Sequence, residues 1–292
     1  MRVLFATDGS SDARAAAAFL PRLPLAAGSR VRIVSVIEPR PSRLDLPGIQ
    51  DYDNAVTAEG GRVVDEARAS LPVSTPIETA VLAGVARDEI VREARDWEAD
   101  LVVVGARGLG LVDAWLLGSV SLAVARRVEC AVLIVKGGGR RFQRVVVGLD
   151  GSDEAAHAAR FVAEWPLDAR HAVRLIGVVE PIHFPSSAPD LIRPQLAAAI
   201  RELKAERRLE LSKALDQAAP LFDAHGVTVS RETPEGHPAD VIAAAAARDA
   251  DLVVVGARGL GGVKRLLLGS VSENVLRAAR CPVLIVKRPP SA

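Results

Sequence analysis

The chain has 292 residues, close to twice an ordinary single domain, and its 49% hydrophobic content suffices for a core in each of two halves. Thirty-seven Lys and Arg stand against 36 Asp and Glu, and no basic run exceeds Arg140-Arg141 or Arg207-Arg208, which argues against a nucleic-acid-binding module. No uninterrupted apolar stretch approaches the roughly 18 residues of a membrane span, and Asp8 comes too early for a secretory signal, so a cytoplasmic protein engaging neither nucleic acid nor membrane is expected.

In chain order, short runs of Val, Ile and Leu alternate with Ala- and Arg-rich segments of helical period. Strands are expected at Val3–Ala6, Val31–Val36, Ile77–Leu82, Leu101–Gly105 and Val132–Lys136, with helices at Asp12–Leu20, Val56–Leu71, Ala86–Trp97 and Val120–Arg127. A second series follows residue 143, with strands at Val145–Leu149, Val173–Val178, Val227–Thr233, Leu252–Gly256 and Val283–Lys287. Its helices fall at Glu154–Trp165, Pro194–His225, Pro238–Ala247 and Val271–Ala279. Pro39–Asn54 and Pro181–Pro194 read as surface loops after the second strand of each series. The three glycines in Gly137–Gln143 suggest a flexible link. The expected division is residues 1–137, a linker at 138–143, and residues 144–288. Aromatic residues make up only 3% of the chain, so the cores must be aliphatic, as suits parallel strands under Ala-rich helices. The fold class is α/β: two tandem open parallel five-stranded sheets flanked by helices, with right-handed crossovers.

The two series are one sequence written twice. Ala99–Ser121 returns 151 residues later as Ala250–Ser272, with 19 of 23 positions identical, and Cys130–Lys136 returns as Cys281–Lys287. Arg2–Ser10 likewise matches Arg144–Ser152. A repeat this long is a whole domain rather than a solenoid unit.

The informative constellation is Gly105-Ala-Arg-Gly108, nine residues, then Gly118-Ser119, repeated as Gly256-Ala-Arg-Gly259, nine residues, Gly269-Ser270. Glycine directly after a buried strand lets backbone amides approach an anion, and a Gly-Ser pair opening a helix adds unpaired amides and the helix dipole. It is neither a Walker A loop nor a dinucleotide fingerprint, since no Gly-Lys-Ser/Thr follows and the glycines are too widely spaced. Two readings stay open at several positions. Ser119 and Ser270 fit helix N-caps, Ser270 with Glu273 forming a capping-box pattern. Asp8 and Asp150, each before Gly-Ser, fit turn residues as well as ligands. Arg107 and Arg258 fit phosphate contacts or solvated loop arginines. Cys130 and Cys281, at strand entries, read as small hydrophobes. The five histidines all lie in the second copy and lack metal-ligand spacing, so no metal site is expected.

The spacing Gly-x2-Gly-x9-Gly-Ser, with Asp-Gly-Ser after the first strand, resembles the universal stress protein family, and the resemblance runs through nearly all of both halves. It implies a Rossmann-like fold and ATP binding, because the glycine motif marks the ATP-binding branch. Carried over residue by residue, it puts Ala6, Thr7 and Asp8, with the backbone of Val36, at adenine and ribose. Gly105, Gly108, Gly118, Ser119 and Ser121 then stand at the phosphates, with Arg107 and Val120 counted among the nucleotide-binding residues. In the second copy the corresponding sets are Gly148, Leu149, Asp150 and Val178, and Gly256, Arg258, Gly259, Gly269, Ser270, Val271 and Ser272. The expected cofactor is ATP with Mg2+, up to two per chain. The resemblance further implies that Val132–Lys136 and Val283–Lys287 join the halves as an intramolecular pseudo-two-fold pair, with a homodimer of whole chains a further expectation. It implies a nucleotide-dependent regulatory stress-response protein rather than an enzyme, the competing function being a slow ATPase or nucleotidyl-transferring enzyme.

Overall fold

Consecutive β-branched and Leu residues form strands that only a sheet covered on both faces can bury. The computed structural model describes residues 1–38, 49–72, 75–108, 117–137, 141–182, 193–223, 226–260 and 268–288. The first copy runs β1 (Arg2–Ala6), α1 (Ser11–Phe19), β2 (Arg30–Ile37), α2 (Ile49–Ala69), β3 (Ile77–Ala83), α3 (Ala86–Asp96), β4 (Leu101–Gly105), α4 (Ser119–Arg127) and β5 (Ala131–Val135). The second runs β6 (Arg144–Gly148), α5 (Asp153–Ala163), β7 (Ala172–Ile176), α6 (Arg193–Ala218), α7 (Pro220–Asp223), β8 (Thr228–Glu232), α8 (Pro238–Asp249), β9 (Leu252–Gly256), α9 (Ser270–Ala278) and β10 (Val283–Val286).

Each copy orders its strands 3-2-1-4-5 in parallel, and the two sets meet where β5 pairs with β10 antiparallel, Leu133 opposite Leu284. The expected closing-strand contact is therefore present, and its consequence is larger than two packed sheets: one continuous sheet of ten strands. Mutual pairing hides two fully buried apolar strands that would otherwise be open edges. The outer edges, β3 and β8, are instead the partly exposed strands, and β8 is also polar.

Alternation along the strands divides the interior into two layers that both cross the junction. Val3, Phe5, Leu133 and Leu284 face α1, α2, α5 and α6, whereas Leu4, Ala6, Ile134 and Ile285 face α3, α4, α8 and α9.

Three expected boundaries shift. Helix α2 begins at Ile49, so the segment read as a loop through Asn54 is helical from there, while residues 39–48 lie outside the described residues. Helix α6 begins at Arg193, just inside the Pro181–Pro194 segment, and residues 183–192 lie outside the description. The single helix expected over Pro194–His225 breaks after Ala218 because Pro220 brings no amide hydrogen to continue the ladder. The link is also less free than its glycines suggested. Phe142 is buried, its ring centroid 6.3 Å from Phe19 in one half and 5.7 Å from Trp165 in the other. That aromatic contact pins the chain just before β6. Residues 138–140 lie outside the description. None of the described helices is long and apolar enough to cross a membrane.

The junction is tied by reciprocal lysines. Lys136 Nζ donates to the carbonyls of Leu276, Arg277 and Ala279 at the end of α9, and Lys287 Nζ donates to Val128 O just past α4. Each ammonium thus sits where the helix dipole favours a cation. Burial nevertheless pushes both lysines down from 10.5 to about 8, and it pushes Cys130 and Cys281 up from 9.0 to about 11. Such thiols are inert apolar groups, as their position at strand entries suggested.

The signs of these shifts give a pH dependence. A lysine whose pKa is lower folded than unfolded costs stability while charged, so the cost is fully present below about 8 and is relieved as pH rises from about 8 toward 10.5. The cysteines act oppositely: the unfolded thiols ionise first, so stability is lost from 9.0 toward 11. The gain is therefore concentrated between about 8 and 9. The urea midpoint is expected to be higher at pH 9 than at pH 7 in wild type, and the rise to vanish in a Lys136→Met, Lys287→Met double variant. An equal rise in the double variant would assign the effect to other groups.

Candidate functional site

In each half the chain leaves the central strand on one side and the next pair on the other, so β1 lies between β2 and β4, and β6 between β7 and β9. The carboxyl ends of these strands splay open at that switch point, the place where open α/β sheets hold ligands. A cavity of about 550 Å3 lies there in the first copy and one of about 490 Å3 in the second.

All the residues named from the sequence converge on these two spaces. Ala6, Thr7, Asp8, Val36, Gly105, Arg107, Gly108, Gly118, Ser119, Val120 and Ser121 line the first. Gly148, Leu149, Asp150, Val178, Gly256, Arg258, Gly259, Gly269, Ser270, Val271 and Ser272 line the second.

The two readings of the aspartates are compatible at the atomic level. Asp8 Oδ1 accepts the Ser10 amide at 3.0 Å, and Asp150 Oδ1 accepts the Ser152 amide at 2.9 Å, so each carboxylate builds its turn with one oxygen. The other oxygen, Oδ2, faces the glycine loop. A Cβ on Gly108 would lie 2.7 Å from Asp8 Oδ2, and one on Gly259 would lie 2.2 Å from Asp150 Oδ2. Glycine here is what lets a carboxylate and a loop share one wall.

Gly105 and Gly256 have a different cause from the one expected. A Cβ on Gly105 would lie 2.6 Å from Ala13 N, and one on Gly256 would lie 2.9 Å from Glu154 C. These two glycines admit the first turn of α1 or α5 against the strand end; they clear room for a helix and not directly for an anion.

The helix openings correct the N-cap reading. The N-caps are Gly118 and Gly269, with φ near −65° and ψ near 150°, and Ser119 and Ser270 are the first helical residues. A glycine cap has no side chain to satisfy the orphan amides of the first turn. Among the described residues, the first amide of α4 with a backbone partner is Leu122, bonded to Gly118 O, and in α9 it is Glu273, bonded to Gly269 O. Nor does Glu273 close a capping box: its carboxylate takes Arg126 of the other copy at 2.7 and 2.9 Å, which holds it below the usual carboxylate range. The amides of Ser119–Ser121 and Ser270–Ser272 are left facing the cavities.

The serines divide in role. Ser121 Oγ donates to Gly105 O at 2.7 Å, and Ser272 Oγ donates to Gly256 O at 2.7 Å, stapling helix to strand. With its one proton committed, each has only its amide to offer an anion. Ser119 and Ser270 hydroxyls have no partner among the described residues.

The arginines, equivalent in sequence, differ. Arg107 makes a bidentate pair with the buried Asp12, Nε to Oδ2 at 2.7 Å and Nη2 to Oδ1 at 3.0 Å, which raises its pKa further. Arg258 has no ion pair or hydrogen bond among the described residues, because the position of Asp12 is taken by Glu154, which does not reach it.

Sequence reasoning missed the apolar walls: Val34, Ile90 and Leu117 in the first cavity, Ile176, Ile242 and Leu268 in the second. Their periodicity marked them only as buried. It also missed Arg207, which reaches over from α6 and donates from Nη2 to Asp150 O at 2.8 Å; nothing in a charged helix singles it out. Among the described residues neither cavity wall contains a histidine.

The model of the universal stress protein family matches residues 1–136 and again residues 141–287. The chain belongs to the universal stress protein family. A universal stress protein of Mycobacterium tuberculosis is 34% identical over 228 residues, covering 76% of this chain and 69% of that protein. One from Methanocaldococcus jannaschii is 34% identical over 157 residues, covering 53% of this chain and 88% of the relative, as befits a match to one half. Among solved structures, a universal stress protein from Archaeoglobus fulgidus superposes with a TM-score of 0.65 at 23% identity, covering 98% of both chains. A Pseudomonas aeruginosa protein described as functionally unknown gives 0.59 at 16% identity, covering 99% of this chain and 92% of that one. These two likenesses establish the tandem fold of this universal stress protein.

Proposed function

We propose that this universal stress protein binds ATP at both cavities and acts in the cytoplasm as a regulatory protein, occupancy selecting its conformation or partner. The observation that carries the reading is the glycine-capped helix: α4 and α9 open uncapped amides onto a space whose far wall is apolar and whose side wall is a carboxylate. A base fits the apolar wall beside Val36 or Val178, and ribose hydroxyls can donate to Asp8 or Asp150. A phosphate chain fits the amides and the dipole end. The described residues offer no group of three His, Cys, Asp or Glu side chains for a metal, so Mg2+ would ride on the phosphates. The reading is tested by denaturing the purified protein and identifying released nucleotide by mass spectrometry; adenine nucleotide is expected, and purified protein that neither carries nor takes up any would refute it.

A slow-ATPase reading needs a group to orient water. Among the described residues the charged groups lining the two cavities are Asp8 with an arginine already clamped by Asp12, and Asp150 with Glu180, Arg207 and Arg258; no carboxylate among them beyond the turn aspartate recurs in both copies. Turnover is expected to stay below about 1 s⁻¹. A phosphate-release assay exceeding that rate, and losing it on Asp8→Asn or Asp150→Asn, would make the protein an enzyme.

A further inference from the structure

The two cavities come from one repeated sequence, yet their cationic groups are arranged differently. In the first, the guanidinium of Arg107 is spent on Asp12, a carboxylate only 4% exposed, so its charge is cancelled before any ligand arrives. In the second, Arg258 at the same motif position is unpaired among the described residues, and Glu154 in place of Asp12 leaves it so. A further cation, Arg207, stands at the second cavity with no counterpart among the described residues of the first. The buried positions Gly60, Val64, Ala67 and Leu71 of the first copy match Leu211, Leu215, Ala218 and Phe222 at the spacing of 151 that relates the repeats, which sets Arg207 opposite Val56. The Arg207 guanidinium is held by a neutral acceptor, Asp150 O, and by Glu210, a carboxylate itself 56% exposed whose pairing yields readily to a better anion. With Asp150 and Glu180 the described lining of the second cavity carries two cations and two anions, whereas in the first Asp8 stands beside a cation already paired, so the second is the less repulsive of the two to an anion. The sequence joining the glycines has the same bias: Asp113-Ala114 in the first copy stands where Lys264-Arg265 stands in the second.

Resting on the nucleotide reading above, we propose that the two sites are chemically unequal: the second is the polyphosphate site, engaged through Arg258 and Arg207, and the first recognises chiefly the nucleoside. A phosphate bound in the second cavity gains charge-assisted bonds from a guanidinium that gives up nothing to make them. In the first cavity the charge of Arg107 and two of its five N–H donors are already committed to Asp12, so a phosphate gains only from the remaining N–H groups and does so beside a carboxylate. Both sites keep the apolar wall and the aspartate, so both retain adenosine. ATP then fills the second site at concentrations that leave the first largely open to nucleosides or monophosphates, and one chain can report on two ligands at once.

The test is calorimetry on nucleotide-free full-length protein with ATP and with adenosine. Wild type is expected to bind adenosine at two sites of similar affinity, and ATP at two sites differing by about tenfold or more, the size of one charge-assisted contact. Arg258→Gln is expected to weaken the tighter ATP phase about tenfold while leaving adenosine unchanged. The double variant Asp12→Asn, Arg107→Gln, which removes the clamped pair without orphaning a charge, is expected to leave the tighter ATP phase unchanged. Asp12→Asn alone, which frees Arg107, is expected to strengthen the weaker one. Two equal ATP phases in wild type, or equal loss in the Arg258→Gln and the double variant, would overturn the inequality while leaving ATP binding intact. Failure of both ATP and adenosine to bind would overturn the nucleotide reading itself, and the inequality with it.

Discussion

Leu284→Asp is expected to abolish the folded chain. Leu284 is fully buried, lies opposite Leu133 in the antiparallel pair that joins the halves, and packs in the core layer that crosses the junction. Truncating such a leucine to Ala costs about 2–5 kcal/mol. An unpaired carboxylate at the same place adds a desolvation penalty of roughly several kcal/mol, against a total stability of about 5–15 kcal/mol for a typical domain. Circular dichroism is expected to show loss of structure, or size exclusion a protein expanded into separated halves. Leu209→Asp, at a position 57% exposed on α6, is the matched control and is expected to melt within experimental error of wild type. Should Leu284→Asp melt like its control, the β5–β10 junction would not be what holds the two copies together.

How much of this was legible in the sequence follows from what each residue's position depends on. Ten strands could be placed because parallel strands covered on both faces leave unbroken runs such as Leu101–Gly105 and Leu252–Gly256, recurring at a fixed spacing. The motif glycines could be assigned to one place because a strand end and a helix start are adjacent at a switch point whatever the intervening loop does. What each glycine is for could not. Gly105 answers to the backbone of α1, which comes nearly a hundred residues earlier, and only packing reveals it. The same holds for Asp12, an ordinary first-turn acidic residue by sequence that proves to clamp Arg107, and for Arg207, whose reach depends on how α6 is rotated. Pro220 did carry a signal for the break after α6, outweighed by the long Ala- and Leu-rich pattern around it. Inequality between the sites lives in these long-range contacts, where a repeat that reads as two equal copies no longer has equal partners.

Gly118→Asp and Gly269→Asp separate a ligand site from a merely structural helix start, because they are expected to move stability and binding apart. Both glycines have dihedrals open to any residue, and a Cβ would meet Ala106 O at 3.1 Å in one copy and Ala257 O at 3.4 Å in the other, a crowding relieved by a small shift. Aspartate is among the best N-caps: its carboxylate accepts the first-turn amides and complements the helix dipole, so each variant is expected to melt at or slightly above wild type, by a few tenths of a kcal/mol. Those amides are then occupied, and a fixed negative charge stands where phosphate must come. Losing two such contacts, each worth about 1.5–3 kcal/mol to a charged partner, predicts a fall in ATP affinity of roughly 100-fold or more at the altered site. Calorimetry at saturating ATP is expected to count two sites in wild type, one in each single variant and none in the double. A structural glycine would give the reverse pattern, with melting lowered by crowding and two sites still counted. If only one site is found in wild type, and it survives Gly118→Asp but not Gly269→Asp, the first copy serves as the partner that completes the sheet, with its clamped Arg107 the physical reason it takes no triphosphate.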